Sequence, residues 1–349
     1  MRKGHGDLGV VVMDERALLQ RLIAGPASGD ALAGATGLGR AAVWKRIEAL
    51  REAGVAISAQ AGRGYALAAP IDLLDADRIR AGLSDAASAR LSALDVAWTI
   101  DSTNSELLRR GCAADGASSV LLAERQTGGR GRRGREWTSP LAAHIYLSLS
   151  RTFAGGLARL GGLSLVAGIA VAEAMHELGY AQVRLKWPND LVVVGDDGGL
   201  RKLGGLLVEG GGEHAGPARA VLGLGLNVRM PAAQAALIDQ PWCDLSQLAA
   251  QATPPRDRIV AAVLDRLLPA LDAFDDSGLA AFLPRHAVLD ALAGQTVVVH
   301  AAAGDYTATA LGLADDGALR VRVAGGGGDG EERHVHSGEV SVRRLGAAG

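Results

Sequence analysis

The sequence predicts an α+β protein in three parts: an N-terminal winged helix-turn-helix, a central domain on a mixed sheet, and a small all-β unit at the end. Three observations carry this. Apolar residues recur at helical spacing up to about residue 53, and a short hairpin follows. From about residue 92 to 230 the pattern becomes strand-rich, punctuated by glycine runs. After a series of helices the tail returns to short strands alone.

The bulk numbers agree. At 349 residues the chain exceeds one ordinary core, and 48% hydrophobic with 21% charged residues is a globular composition. A formal net charge of −2 excludes a protein that is basic all over, so any nucleic-acid surface must be local. Cys112 and Cys243 form no disulfide framework and show no metal-ligand spacing, which points to a reducing cytoplasm. Leu160 to Met175 is the longest apolar stretch, but its glycines and Glu173 make it a buried helix rather than a membrane span. Residues 1–12 lack the apolar length of a signal peptide and are expected to be a disordered extension, with Met13 the better start.

Within residues 13–69, Leu18, Leu19 and Leu22 mark a first helix. Ser28-Gly29-Asp30 caps a second, and Gly37-Leu38-Gly39 makes a tight turn. A third helix runs from about Arg40 to Ala53, with Val43, Ile47 and Leu50 on one face. Val55-Ala56-Ile57 and Ala61 to Leu67 form a hairpin wing with Arg63 at its tip. The unit matches a DNA-binding winged helix-turn-helix, with Arg40, Lys45, Arg46 and Arg63 as candidate contacts. Pro70 opens a linker, 70–90, containing a helix near Asp75 to Gly82.

The central domain is expected over 91–290. Its strands are Val96–Ile100, Ser119–Glu124, His144–Leu149, Leu191–Val194, Leu203–Val208 and Ala220–Val228, with a helix at Leu160–Leu178. Gly195–Gly199 and Gly210–Gly212 read as hairpin turns, so the sheet is mixed or antiparallel rather than doubly wound. Helices follow at 245–251, 257–275 and 279–292. The last unit, 291–345, has strands at 296–300, 306–313, 318–323 and 333–344, with a glycine loop at 325–330.

Five clusters carry chemistry. Gly129-Arg130-Gly131-Arg132-Arg133-Gly134 formally matches a dinucleotide fingerprint, but it runs into Trp137-Thr138-Ser139-Pro140, which cannot open a helix. Glycines interleaved with arginines instead let backbone amides and guanidinium groups converge on an anion; a nucleic-acid surface loop is the other reading. Gln126, just upstream, offers an amide to a small polar head group. In Lys186-Trp187-Pro188-Asn189-Asp190, Trp187 could be core and Asp190 a turn former. Against that stands the scarcity of lysine: among 36 basic residues only Lys3, Lys45, Lys186 and Lys202 are lysines. Lys202 lies across the hairpin in Arg201-Lys202-Leu203-Gly204-Gly205. Gly223-Leu224-Gly225-Leu226-Asn227 ends another strand with an amide, and Asp101-Ser102-Thr103-Asn104-Ser105 is either a site or a plain helix N-cap.

Together these clusters resemble the biotin protein ligases, specifically their bifunctional ligase–repressor branch, from about residue 13 to 344. The resemblance implies a class II synthetase-like central domain and an SH3-like C-terminal β-barrel. It implies activation of biotin by ATP as biotinyl-5'-AMP and transfer to a lysine of a biotin carboxyl carrier protein. Ser102, Thr103, Asn104 and Gln126 would hold the ureido head; Arg130, Gly131 and Arg132 would order over the carboxylate and phosphate, and Lys202 would contact them. Lys186, Asn189 and Asp190 match the motif near the reacting centre, while Gly129, Trp137 and Asn227 match nucleotide positions. Mg²⁺ would ride on the phosphates, with no dedicated protein metal site. The resemblance also implies operator DNA binding by a homodimer favoured by the bound adenylate and formed through the central sheet, with the strands near 203–228 as the candidate edge. Gly39 departs from the usual hydroxyl cap, at a cost of a few tenths of a kcal/mol. A lipoate ligase would share the adenylation logic, and a ligand-sensing regulator would share the winged helix, but sensing alone needs neither Lys186 nor Asp190.

Overall fold

The computed structural model describes residues 15–60, 62–111, 116–154, 156–212, 217–301, 304–323, 330–337 and 341–344. The expected extension at 1–12, Cys112 and nearly all of the 325–330 loop lie outside them.

The N-terminal unit is a three-helix cluster with a wing. Helix α1 (15–23) buries Leu18, Leu19 and Leu22. Ser28 caps α2 (Gly29–Thr36) by accepting from Ala31 N, and Gly37 turns the chain with φ 71°. Helix α3 (Arg40–Glu52) starts at the uncapped Gly39 and buries Val43, Ile47 and Leu50. Strands β1 (Ile57–Gln60) and β2 (Gly64–Leu67) form the wing, with the exposed Arg63 at the turn. This core is not closed on itself: Trp98, Leu141 and Ala142 from the central domain pack into it. Leu141 N also donates to Ala53 O at 2.8 Å, at the end of α3.

Residues 70–90 hold more than a tether. They carry α4 (Ala76–Ala81), capped by Asp75, and α5 (Asp85–Ser88). Leu74, Ile79 and Ala87 join the main core. The buried Arg256 fastens the segment through Asp72 (3.2 Å) and Glu124 (2.8 Å), while Glu124 also accepts from Leu74 N.

Seven strands make the central sheet: β3 (Leu91–Ile100), β4 (Ser118–Gln126), β5 (Ile145–Phe153), β6 (Val183–Lys186), β7 (Asp190–Val194), β8 (Leu200–Gly212) and β9 (Ala218–Leu226). Their order is β3-β4-β5-β9-β8-β7-β6, and only the β3–β4 pair is parallel. The mixed sheet is as expected. One face carries α7 (Leu163–Glu177), buried along most of its length, with Glu173, His176 and Glu177 toward its exposed end, together with α10 (Arg256–Ser277). Short α6 (Thr103–Arg109) covers the other face, with Leu107 against Leu121 and Val221. Alternation therefore decides who faces what. In β9, Leu222, Leu224 and Leu226 point into the core, while Gly223 and Gly225 face the α6 side. Short α8 (Ala232–Ala235) and α9 (Leu245–Leu248) follow β9.

Several boundaries differ from expectation: β3 begins at Leu91 rather than Val96, α9 ends at Leu248 rather than 251, and β6 is not among the expected strands. Gly210–Gly212 is not a turn but the end of β8, because a Cβ on Gly210 would meet Arg219 O of the neighbouring strand at 2.3 Å. The helix expected at 279–292 is a 3₁₀ turn (Ala280–Phe282) and α11 (Leu283–Leu289), stopped where Ala291 N donates to Leu185 O. The strand expected at 333–344 is two strands.

The C-terminal unit contains β10 (Thr296–Ala301), β11 (Gly304–Leu313), β12 (Leu319–Val323), β13 (Glu331–Val335) and β14 (Ser341–Arg344). They form an antiparallel sheet ordered β13-β12-β11-β10-β14, so the two halves of the expected last strand lie on opposite edges. The described pairings give this sheet; a ladder closing it into a barrel is not among them. No described helix is long and apolar enough to cross a membrane.

Candidate active site

The α6 face of the sheet opens into a cleft of about 1000 Å³. Its floor follows from register. Tyr146, Gly225, Gly205, Asp190 and Lys186 lie side by side across β5, β9, β8, β7 and β6. Two adjacent glycines leave the middle of that row without side chains. The indole of Trp137 settles there: a Cβ on Gly225 would lie 2.5 Å from its ring. The indole Nε1–H is buried and has no acceptor among the described residues. The next row pairs Ser148 with Gly223, and a Cβ on Gly223 would strike Asn104 Oδ1 at 2.4 Å.

One end of the cleft is polar but uncharged. Ser102 caps α6 through Ser105 N, as the N-cap reading has it, and it also lines the cleft. Ser102, Thr103, Asn104 and Ser148 are all buried. Ser148 Oγ donates at 2.7 Å to Thr103 Oγ1 and at 2.5 Å to Asn104 Oδ1 in alternative arrangements of its single proton. Gln126 Oε1 accepts from Thr103 N at 2.9 Å. Asp101 takes no part in the lining: Arg109 hydrogen-bonds its carboxylate and holds it down to about 2, with Ser102 N adding to the effect.

The other end is cationic. Arg130, Arg132, Arg133, Arg135 and Lys202 line it against Glu136 and Asp190, an excess that favours a polyanion. The glycine–arginine loop is closed at its neck, where Trp137 N donates to Gly129 O at 2.9 Å. Gly129 itself does not line the cleft. Within the loop Arg133 is left-handed (φ 58°), followed by Gly134 (φ 71°), and the two reverse the chain tightly. Arg130 Nη2 donates to Ser105 Oγ at 2.9 Å and reaches Glu209 at 3.4 Å. Arg132 reaches across the cleft, donating to Asn189 Oδ1 at 3.2 Å and to Ser337 O of the C-terminal unit. Burial, and then the neighbouring Arg133, depress the Arg132 guanidinium, while Asp190 opposes them; an arginine keeps its charge regardless.

The two scarce lysines converge on one carboxylate. Lys202 Nζ lies 2.7 Å from Asp190 Oδ1, and Lys186 Nζ lies 3.9 Å from Asp190 Oδ2. Lys202 also sits 5.5 Å above the Trp137 ring, a cation–π distance. Trp187 is core, as the structural reading of its motif held: it is buried with the C-terminal unit and donates from Nε1 to Gly317 O. Besides Gly129, two residues of the sequence reading do not line the cleft. Lys186 lies behind it, in a small pocket with Pro188 and His286. Asn227 is buried under β8, donating from Nδ2 to Cys243 O at 3.0 Å. Sequence reasoning missed Ser148, Gly205 and Glu209, and did not assign Gly223 and Gly225 to the floor; only their register brings them in.

Comparison with known proteins agrees with this geometry. Residues 97–227 match the biotin/lipoate A/B protein ligase family, 15–66 an HTH domain, and 293–343 the biotin protein ligase C-terminal domain. The chain is 38% identical over 316 residues to the bifunctional ligase/repressor BirA of Salmonella typhimurium, covering 90% of this chain and 93% of that one. It is 37% identical to the Escherichia coli protein of the same name, over 90% of this chain and 92% of the other. Among solved structures, the biotin protein ligase of Aquifex aeolicus in complex with biotin and ATP superposes with a TM-score of 0.58 at 27% identity. That match covers 73% of this chain and all of the other. A glycine-floored cleft with one neutral polar end and one cationic end, on a sheet that also carries a helix-turn-helix, thus has a family: the chain belongs to the biotin protein ligases, in their bifunctional ligase/repressor branch.

Proposed function

We propose that the cleft binds biotin with its ureido ring at Ser102, Thr103, Asn104, Gln126 and Ser148, and ATP at the cationic end. The observation that carries this is the contact of Arg132 with Asn189, which brings the anion loop over the strand motif while the uncharged end stays open to a neutral head group. The biotin carboxylate attacks the α-phosphorus and pyrophosphate leaves, giving biotinyl-5'-AMP. Lys202 and Arg132 reduce repulsion between the two anions and stabilise the charge that develops. An acceptor lysine of a biotin carboxyl carrier protein then attacks the acyl carbon, and AMP leaves. Asp190 is the candidate to orient or deprotonate that incoming amine. Magnesium would come with the triphosphate, its ligands mostly phosphate oxygens and water. Glu136 and Asp190 are the carboxylates lining the cleft, and among the described residues no three His, Cys, Asp or Glu side chains cluster to hold a metal.

Lipoate is disfavoured by the same site, because its ring has no N–H or C=O to exchange hydrogen bonds with the hydroxyls and amides at the neutral end, whereas a ureido group has both. Incubation with ATP, an acceptor domain, and labelled biotin or lipoate tests this. Labelling from lipoate at the rate of biotin would overturn the assignment. The floor makes a second test. Gly225→Ala must displace the Trp137 ring, and we expect a KM for ATP raised about tenfold with biotin affinity retained. Titration calorimetry with each substrate alone checks it; unaltered ATP binding would detach Trp137 from the nucleotide.

Residues 13–69 are assigned to operator DNA, 91–290 to catalysis and 291–345 to closing the site, in a reducing cytoplasm. Of the candidate contacts, Lys45 and Arg63 are exposed, Arg40 is held by Asp30, and Arg46 is half-buried. Seven basic against five acidic residues in 13–70 make one copy a weak binder, so specific binding calls for a dimer over two half-sites. Strands β8 and β9 are interior, except that β7 covers β8 only as far as Gly205. Past Leu206, which Asn189 holds at both its N and O, no described strand pairs with this side of β8 up to Gly212, and that stretch suits pairing with a second copy. Binding of the adenylate can reach α3 through the segment running from Trp137 to Leu141. DNA affinity is accordingly expected to rise with biotin plus ATP, and Arg63→Ala to flatten its salt dependence by about one unit of slope. A filter-binding series over protein and salt concentration would expose either failure.

A further inference from the structure

We propose that Trp44 reads DNA sequence directly, by laying its indole against the 5-methyl group of a thymine in the major groove. This rests on the assignment of residues 13–69 to DNA. Along α3, Ala41, Trp44, Lys45 and Glu48 stand at i, i+3, i+4 and i+7, the spacing with which a recognition helix offers side chains to base edges. They lie away from the stripe of Val43, Ile47 and Leu50, which packs into the core.

Trp44 is 55% exposed, whereas Trp98 and Trp187 are 6% and 2% exposed. A large apolar ring is therefore held in water on the one helix of this domain built to enter a groove. Its neighbours narrow what it can meet. Arg40 is bound to Asp30, and Arg51 is bound to Glu48 at 2.6 Å, so local pairing occupies the side chains that would otherwise dominate the face. Lys45, exposed, and Arg46, half-buried beside it, supply the remaining positive charge toward phosphate or guanine. Ala41, one turn earlier, leaves space for the ring to lie along the groove. An indole carries no acceptor, and the only apolar group a base pair presents in the major groove is the thymine methyl. The charge around the helix favours duplex DNA over an apolar protein partner.

The test uses the full chain with biotin and ATP. Duplexes are selected from a randomised library, and the thymines invariant in the selected half-sites are replaced by deoxyuridine, which removes only the methyl. Wild type is expected to lose roughly 5-fold or more in affinity. Trp44→Ser is expected to bind the thymine duplex correspondingly more weakly and to treat thymine and deoxyuridine alike, while Trp44→Phe keeps part of the preference. Biotin transfer by the same preparations should be unchanged, since Trp44 is remote from the cleft. Equal loss on deoxyuridine in wild type and Trp44→Ser, or no loss in wild type, overturns the proposal. Failure of any duplex to be enriched overturns the DNA assignment as well and leaves Trp44 a protein contact.

Discussion

Lys202→Ala is expected to slow adenylate formation by about 10²- to 10³-fold while leaving the fold intact. The ammonium lies in a cleft wall beside Asp190 and above Trp137, at the end where five basic residues gather. A carboxylate approaching a triphosphate meets repulsion that a fixed cation offsets most in the transition state, where charge is greatest. The structural cost is small for a specific reason. Removing Lys202 does not strand Asp190, because Lys186 remains on its other oxygen at 3.9 Å. The lost pair, partly exposed, is worth about 1 kcal/mol or less. Melting temperature and pyrophosphate release measured together decide the matter. A large fall in stability with normal pyrophosphate release would make Lys202 a structural residue.

Arg132→Gly is expected to turn a directed ligase into a leaky one. In this structure one side chain joins three segments: its own loop, Asn189 of the strand motif and Ser337 of the C-terminal unit. Glycine removes the charge and both ties to the other segments, and it loosens a loop that already contains Gly129, Gly131 and Gly134. The adenylate should then escape before transfer and acylate any exposed lysine. Self-labelling should stay low, because the chain has only Lys3, Lys45, Lys186 and Lys202 besides its N-terminus. A lysine-rich carrier protein is the better reporter. With biotin and ATP, the variant should label that bystander well above wild type, as read by mass spectrometry. Adenylate made at a comparable rate with no added labelling would show that Arg132 does not retain it.

What the sequence by itself determined is local. The helix-turn-helix was legible because Leu18, Val43, Ile47 and Leu50 repeat at the helical period and Ser28 and Gly37 supply cap and turn. The strand motif and the arginine loop were legible because their residue types are unusual: scarce lysines, and arginines spaced by glycine. Tertiary structure decided what depends on register and on contacts between distant segments. Gly205 and Gly225 become a floor only when β8 and β9 pair in this register, since a one-residue slip would put leucines in the cleft instead. Arg130 bound to Glu209, Arg132 on Ser337 and Asn227 turned away under Cys243 involve partners 16 to 205 residues apart. Residues 333–344 read as one strand because their local pattern is continuous. Antiparallel pairing with both β12 and β10 sends the two halves to opposite edges of a sheet, which no short-range pattern encodes.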